Sequence, residues 1–183
     1  MKTLIYALPL AIWLVIPGYS VAQKITKMDK SPLDFSYLPH NYPHDGGDKL
    51  IARVIYSRPG KNDREIFGKL IKYGKVWRLG ANENTEITFY EDVTFGGKQV
   101  KAGTYSMFAI PDNSTWTFIL NTKLHAWGAY SYDEEKDIAR VEVTPGKSEN
   151  TIEQLTIVFS STGNKGSLNV FWDDTHVVVP VEF

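Results

Sequence analysis

Arg58, Arg78, Asn82 and Glu83 are the polar side chains best placed to do chemistry. Each adjoins a turn signal: Arg58 precedes Pro59-Gly60, and Gly80 separates Arg78 from Asn82 and Glu83. An arginine fork matches carboxylate, phosphate or sugar hydroxyls, and polar groups on loops held by rigid strands are where binding and catalysis concentrate. A rim carrying Arg58, Arg78, Asn82 and Glu83 would take a small polar or anionic ligand, with the loop aromatic Trp127 as a further contact. Glu83 is also the candidate general acid or base of a hydrolase. The same residues admit a structural role. Arg78 can pair with Glu83 or Glu65, and Asn82 can hydrogen-bond within its own turn.

Other constellations are weaker. Glu83 with Glu86, or Asp173 with Asp174, has the composition of a glycosidase carboxylate pair. Adjacent strand residues point to opposite faces, so Asp173-Asp174-Thr175 reads better as a hairpin turn. His40, His44, Asp45 and Asp48 are of metal-ligand type. Pro39, Pro43, Gly46 and Gly47 rule out the helix that would turn both histidines one way, so a solvated loop and no metal site is the expectation. His125, Trp127, Tyr130 and Tyr132 occupy the longest internal loop. They suit a platform for sugar rings or, as the favoured reading, a cover folded over one end of a sandwich. Gly-x-Ser-x-Gly, a glycine-rich phosphate loop and His-Glu-x-x-His are all missing, and no cofactor is implied. Cysteine is absent, which excludes disulfides and thiol nucleophiles.

The 183 residues suit one domain with at most a small appendage. Lys2, an apolar run from Leu4 to Ile16, Pro17-Gly18 and the small-x-small triplet Ser20-Val21-Ala22 form a secretory leader over residues 1–22. The run is too short to span a bilayer comfortably, and no later stretch is long and apolar enough, so no integral membrane segment is expected in the mature chain. Removing Lys2 changes the formal charge from −1 to −2, without the basic excess a nucleic-acid partner would want. The expected location is the periplasm or outside the cell.

The elements that must position these residues are strands. Residues 23–48 read as an extended lead-in and loop, and 49–183 as a single domain. Leu50–Tyr56, Val76–Leu79, Thr85–Tyr90, Thr104–Ile110, Thr115–Asn121, Ile138–Thr144 and Ile152–Ser160 alternate or run apolar. Gly96-Gly97 marks a hairpin, and Ser167–Trp172 with His176–Phe183 reads as another over Asp173-Asp174-Thr175. Asp63–Leu70 has room for one or two helical turns, with Asp63 as N-cap. The result is an all-β, antiparallel sandwich of jelly-roll or immunoglobulin type, with about nine strands and at most one short helix. Its expected core holds Ile87, Phe89, Trp116, Phe118, Leu120, Val141, Val143, Leu155, Ile157, Phe159, Leu168, Val170 and Trp172.

Several segments, taken in order, resemble one family. They are Tyr56-Ser57-Arg58-Pro59, Ile66-Phe67-Gly68, Tyr73 to Arg78, Gly80-Ala81-Asn82-Glu83, Ala102 to Ser106, Ile110-Pro111, Trp116, and Tyr132-Asp133 through Arg140-Val141. Together they resemble the bacterial domain-of-unknown-function family 2911, over roughly Ser31 to Phe183. The resemblance implies a small, β-rich, exported domain and carries no activity with it. Leu33 stands where that family tends to have a basic residue, and the stretch from Tyr37 to Asp48 is longer and more polar than usual. Three functions stay open: a binding module for a small polar or anionic ligand, a hydrolase using Glu83, and an envelope interaction domain with no small-molecule site.

The leader makes the first testable expectation. Mass spectrometry of the protein from an envelope fraction should find a chain starting at Gln23. Recovery of Met1 to Ala22 on protein from the membrane pellet would contradict it.

Overall fold

The computed structural model describes residues 26–42, 44 and 49–183. The leader, Asp45 and Asp48 lie outside them. Ten strands follow the chain: β1 (Leu33–Leu38), β2 (Ala52–Ser57), β3 (Thr85–Phe89), β4 (Val93–Phe95), β5 (Lys98–Val100), β6 (Gly103–Ile110), β7 (Trp116–Asn121), β8 (Asp137–Val143), β9 (Gly146–Thr162) and β10 (Lys165–Glu182). They form two antiparallel sheets, β1-β2-β3-β6-β7-β8 and β5-β4-β10-β9. The larger sheet runs nearly as a meander, broken only where β4 and β5 leave for the other sheet. Among the described residues one 3-10 turn is present, Glu134–Lys136, capped by Asp133, whose carboxylate accepts the Glu135 N–H at 3.1 Å. β1 lies within the segment read as lead-in. Among the described residues, no helix is long and apolar enough to cross a membrane.

Alternation along the strands builds the core. In β3, Thr85, Ile87 and Phe89 are buried while Glu86 and Thr88 face outward. Facing residues Leu155, Ile157, Phe159, Leu168, Val170 and Trp172 come from β9 and β10. Every residue expected in the core is buried except Val143, which packs against it partly covered. Each such large apolar side chain contributes about 1.5–3 kcal/mol by leaving water. One edge of the sandwich is tied shut where β1 and the end of β2 meet β9. There the Phe159 N–H donates to Ser36 Oγ at 3.0 Å, and the Leu155 N–H donates to the Pro59 carbonyl at 3.0 Å.

Three local expectations are corrected. Val76–Leu79 is not a strand. Trp77 makes one isolated bridge to Ala109, and Leu79 has φ 53°, a left-handed turn outside the extended region. Asp63–Leu70 is not helical. Asn62 and Asp63 have φ 49° and 57°, whereas an N-cap is extended, and the segment closes as turns with the Ile71 N–H donating to the Ile66 carbonyl at 2.9 Å. Asp173-Asp174-Thr175 does not turn the chain. β10 runs through it, absorbing the irregularity as register shifts with Asp173 at φ 55°, and Lys61 Nζ pairs with Asp173 Oδ2 at 3.0 Å. The hairpin turn lies instead at Gly163-Asn164, between the paired Thr162 and Lys165.

Gly96-Gly97 does turn the β4–β5 hairpin, with φ 53° and 80° at the two positions. A Cβ on Gly96 would stand 2.0 Å from Val141 Cγ1, while one on Gly97 would meet nothing within 4 Å. Gly97→Ala should cost about 1 kcal/mol from backbone conformation alone. Gly96→Ala adds overpacking and should cost about 2–4 kcal/mol. Urea melts of both variants check the difference, and equal losses would contradict this packing.

Candidate functional site

The segment from Ile71 to Asn84 leads into β3 and belongs to no strand, its one β-bridge to a sheet being the isolated bridge of Trp77 to Ala109. Trp77 anchors it: its N–H donates to the Ala109 carbonyl at 2.7 Å, and its indole N–H donates to the Gly80 carbonyl at 3.1 Å. Left-handed Leu79 and Asn82 then fold the chain back toward β3, where Thr85 Oγ donates to the Leu79 carbonyl at 2.7 Å. Asn84 joins this loop to the 122–136 loop. Its side-chain amide donates to Ser106 Oγ at 2.7 Å, and its side-chain oxygen accepts the Ala126 N–H at 2.9 Å. Asn84 is buried with its polar atoms bonded, so the two loops are held in register.

Arg78 sits between them. Its Nη1 donates to the Asn82 carbonyl at 2.6 Å, and its guanidinium lies 5.6 Å from the centre of the Tyr130 ring. Gly128, at φ 70°, lets the two chains close. A Cβ there would be 2.7 Å from Arg78 Cζ. Arg78 makes no ion pair with any described carboxylate, so neither the Glu83 nor the Glu65 pairing is formed. The guanidinium opens on a cleft of about 350 Å³. Lys72, Lys75 and Arg78 supply its charges, Leu70, Ile71, Val76 and Trp77 its apolar wall, and Ala129 and Tyr130 its far side. Among the described residues, no acidic side chain lines it.

The sequence-predicted residues do not all meet there. Arg78 and Asn82 come together through the Asn82 carbonyl, while the Asn82 side chain donates to Asp29 Oδ1 at 3.0 Å. Glu83 lines a different cavity of about 290 Å³, with Glu86 and His125 among its neighbours. Arg58 lines neither space. It straps the closed edge, with Nη1 on Asp34 Oδ2 at 3.0 Å, Nε on the Leu155 carbonyl at 3.0 Å and Nη2 on Thr156 Oγ1 at 2.8 Å. Trp127 also lines neither and is 60 % exposed. Tyr130 is 84 % exposed, so the aromatic loop is not the expected buried cover; only Tyr132 packs inward, edge-on to Phe108 at 5.3 Å. His40 and His44 line a groove with Phe35, Tyr37 and Tyr42. Among the described residues no three His, Asp or Glu side chains gather as a metal cluster.

Lys72 and Lys75 were not anticipated. Their signal was the three-residue spacing of Lys72, Lys75 and Arg78 around Tyr73-Gly74, which becomes meaningful only once Trp77 is pinned inward.

Comparison with known proteins adds the family. Residues 44–181 match the family described as protein of unknown function (DUF2911), which spans well over half of the chain. The chain belongs to that family. Neither the curated proteins nor the solved structures provide a match.

The Arg58 strap carries a pH dependence through Tyr56, whose hydroxyl donates to Asp34 Oδ2 at 3.4 Å. Burial, above all, pushes the Tyr56 phenol from 10.0 up to about 12. The folded state therefore holds this proton more tightly than the unfolded chain. That contribution is fully present below pH 10 and is lost as pH rises toward about 12. Two pH units correspond to about 2–3 kcal/mol. The stability advantage of wild type over Tyr56→Phe should shrink by about that much between about pH 9 and about pH 12, measured by urea melts. An unchanged difference would contradict the burial argument.

Proposed function

We propose that this DUF2911 chain is an exported binding module that takes a small anionic ligand in the Arg78 cleft. One observation carries the reading: Lys72, Lys75 and Arg78 line a single cleft with no acidic side chain among its described lining. Cations that stabilise a fold are normally matched by carboxylates, as Arg58 is by Asp34 and Arg140 is by Asp137. Three together without a match attract an anion, and the Trp77 and Val76 wall lowers the local dielectric in which they act. Arg78 is already oriented by the Asn82 carbonyl and Tyr130, so little freedom is lost when a phosphate or carboxylate meets its fork. The leader over residues 1–22 supports a periplasmic or secreted setting. The hydrolytic alternative needs Glu83, which lines the other cavity, and so stands or falls separately from this cleft.

A thermal-shift screen of phosphate, sulfate, dicarboxylates and sugar phosphates, followed by titration of the best anion, tests the reading. Arg78→Met should weaken that anion by ~2 kcal/mol or more, and affinity should fall as salt is raised. Because Arg78 pairs with no described carboxylate, the same variant should lose no more than the ~1–3 kcal/mol of its carbonyl hydrogen bond and its contact with Tyr130. A stability loss above ~3 kcal/mol would make Arg78 a structural residue and overturn the proposal.

A further inference from the structure

The cavity of about 290 Å³ that Glu83 lines has the opposite character. Its floor is the outward face of the paired strands β1 and β2, which supplies Leu33, Ile55 and Ser57. Its rim carries Glu83, Glu86 and His125, and neither lysine nor arginine is among its described lining. Glu86, on the outward face of β3, is partly covered, with its side chain 24 % exposed. Its Oε1 accepts the backbone N–H of His125 at 2.9 Å and lies 3.3 Å from His125 Nδ1. Glu83 makes no ion pair with any described residue.

A carboxylate rim alone would be an ordinary solvated surface. Two further features set this one apart. Ser57 is 2 % exposed and lines the cavity, yet its hydroxyl is bonded to no other described group. The hydroxyl is not sealed off from the cavity, so it is open to a group that enters there. Leu33 is 66 % exposed, which leaves apolar surface open beside the carboxylates. A bare metal ion would gain nothing from Leu33 and Ile55, and the carboxylates and imidazole here form no metal cluster. A cation with an apolar body would use both halves.

We propose that this cavity binds a small organic monocation, a primary ammonium on a short apolar or aromatic body. The ammonium donates to the Glu83 and Glu86 carboxylates and to Ser57 Oγ, and the body lies on Leu33 and Ile55. The volume is at the lower edge of the ~300–1,000 Å³ usual for ligand pockets, which limits the body to about one ring. The site is distinct from the Arg78 cleft, because the two share no lining residue.

Calorimetric titration of the mature chain with benzylammonium, and in parallel with benzyl alcohol, is the test. Binding of the amine at sub-millimolar concentration, with the alcohol at least tenfold weaker, is expected. Glu86→Gln should weaken the amine about tenfold or more, because the amide oxygen still accepts the His125 N–H while the charge is gone. Ser57→Ala should weaken it a few-fold. Equal binding of amine and alcohol, displacement of the amine by millimolar calcium, or no effect of Glu86→Gln would each overturn the proposal. The amine and alcohol comparison on wild type stands even if a variant fails to fold.

Discussion

Trp77 is the contact on which the candidate site depends. Its ring stacks on Trp172 with centroids 5.8 Å apart and planes at 18°, and meets Trp116 and Phe67 edge-on at 6.2 and 6.1 Å. Trp172 belongs to one sheet and Trp116 to the other, so the indole from a segment in neither sheet fills the space between both. Aromatic pairs in such geometries are worth ~0.5–1.5 kcal/mol each beyond their area. The segment around Trp77 has only one bridge of backbone hydrogen bonds to β6. Side-chain packing, not sheet pairing, therefore holds it. Phe67 comes from the preceding turn region and closes the same cluster, which explains why Ile66 and Phe67 are turned inward by turns and not by a helix.

With Trp77 fixed, its neighbours have little choice. Leu79 is fully buried, and Arg78 between them is directed toward the 122–136 loop, where Gly128 leaves room and Tyr130 gives a ring face. Beyond Gly80 the chain turns at Asn82, and Glu83 lines a second cavity together with Glu86. One short loop thus separates a basic cleft from an acidic cavity. Separation matters physically, since an Arg and a Glu in one cavity would neutralise each other and leave a structural ion pair. Asn84 secures the partition from within by bonding the 122–136 loop through both backbone and side chain.

Much of the fold was legible because strand alternation is a local signal. Trp116, Phe118 and Leu120, or Leu155, Ile157 and Phe159, announce their shared face without reference to the rest of the chain. The failures came where a local pattern met a long-range contact. Asp173-Asp174-Thr175 has turn chemistry, yet pairing with β9 on both sides and the Lys61 contact carry the strand through it. Val76–Leu79 has strand composition, but the pull of Trp77 into the aromatic cluster imposes a left-handed Leu79. The site was half legible for the same reason. Arg78 and Glu83 stood out as charges beside turns, but the turn beyond Gly80 that sends them to different cavities is a property of the folded loop. Arg58 looked equivalent to Arg78 in sequence. Only the approach of β9 shows its guanidinium already bound to Asp34, Leu155 and Thr156.

The local backbone supports a ligand role for Arg78 over a purely structural one. Leu79 and Asn82, flanking the turn, hold φ of 53° and 58°, conformations that cost a non-glycine residue about 1 kcal/mol or more each. Gly128 must remain without a side chain for the guanidinium to lie where it does. Against these costs the described contacts of Arg78 return one hydrogen bond to a carbonyl and one cation–π contact with an exposed tyrosine, together about 1–3 kcal/mol. The turn at Leu79 also serves the packing of Trp77; what remains of the cost fits the proposed role, in which the guanidinium is held half-buried and without a described carboxylate partner, ready for an anion.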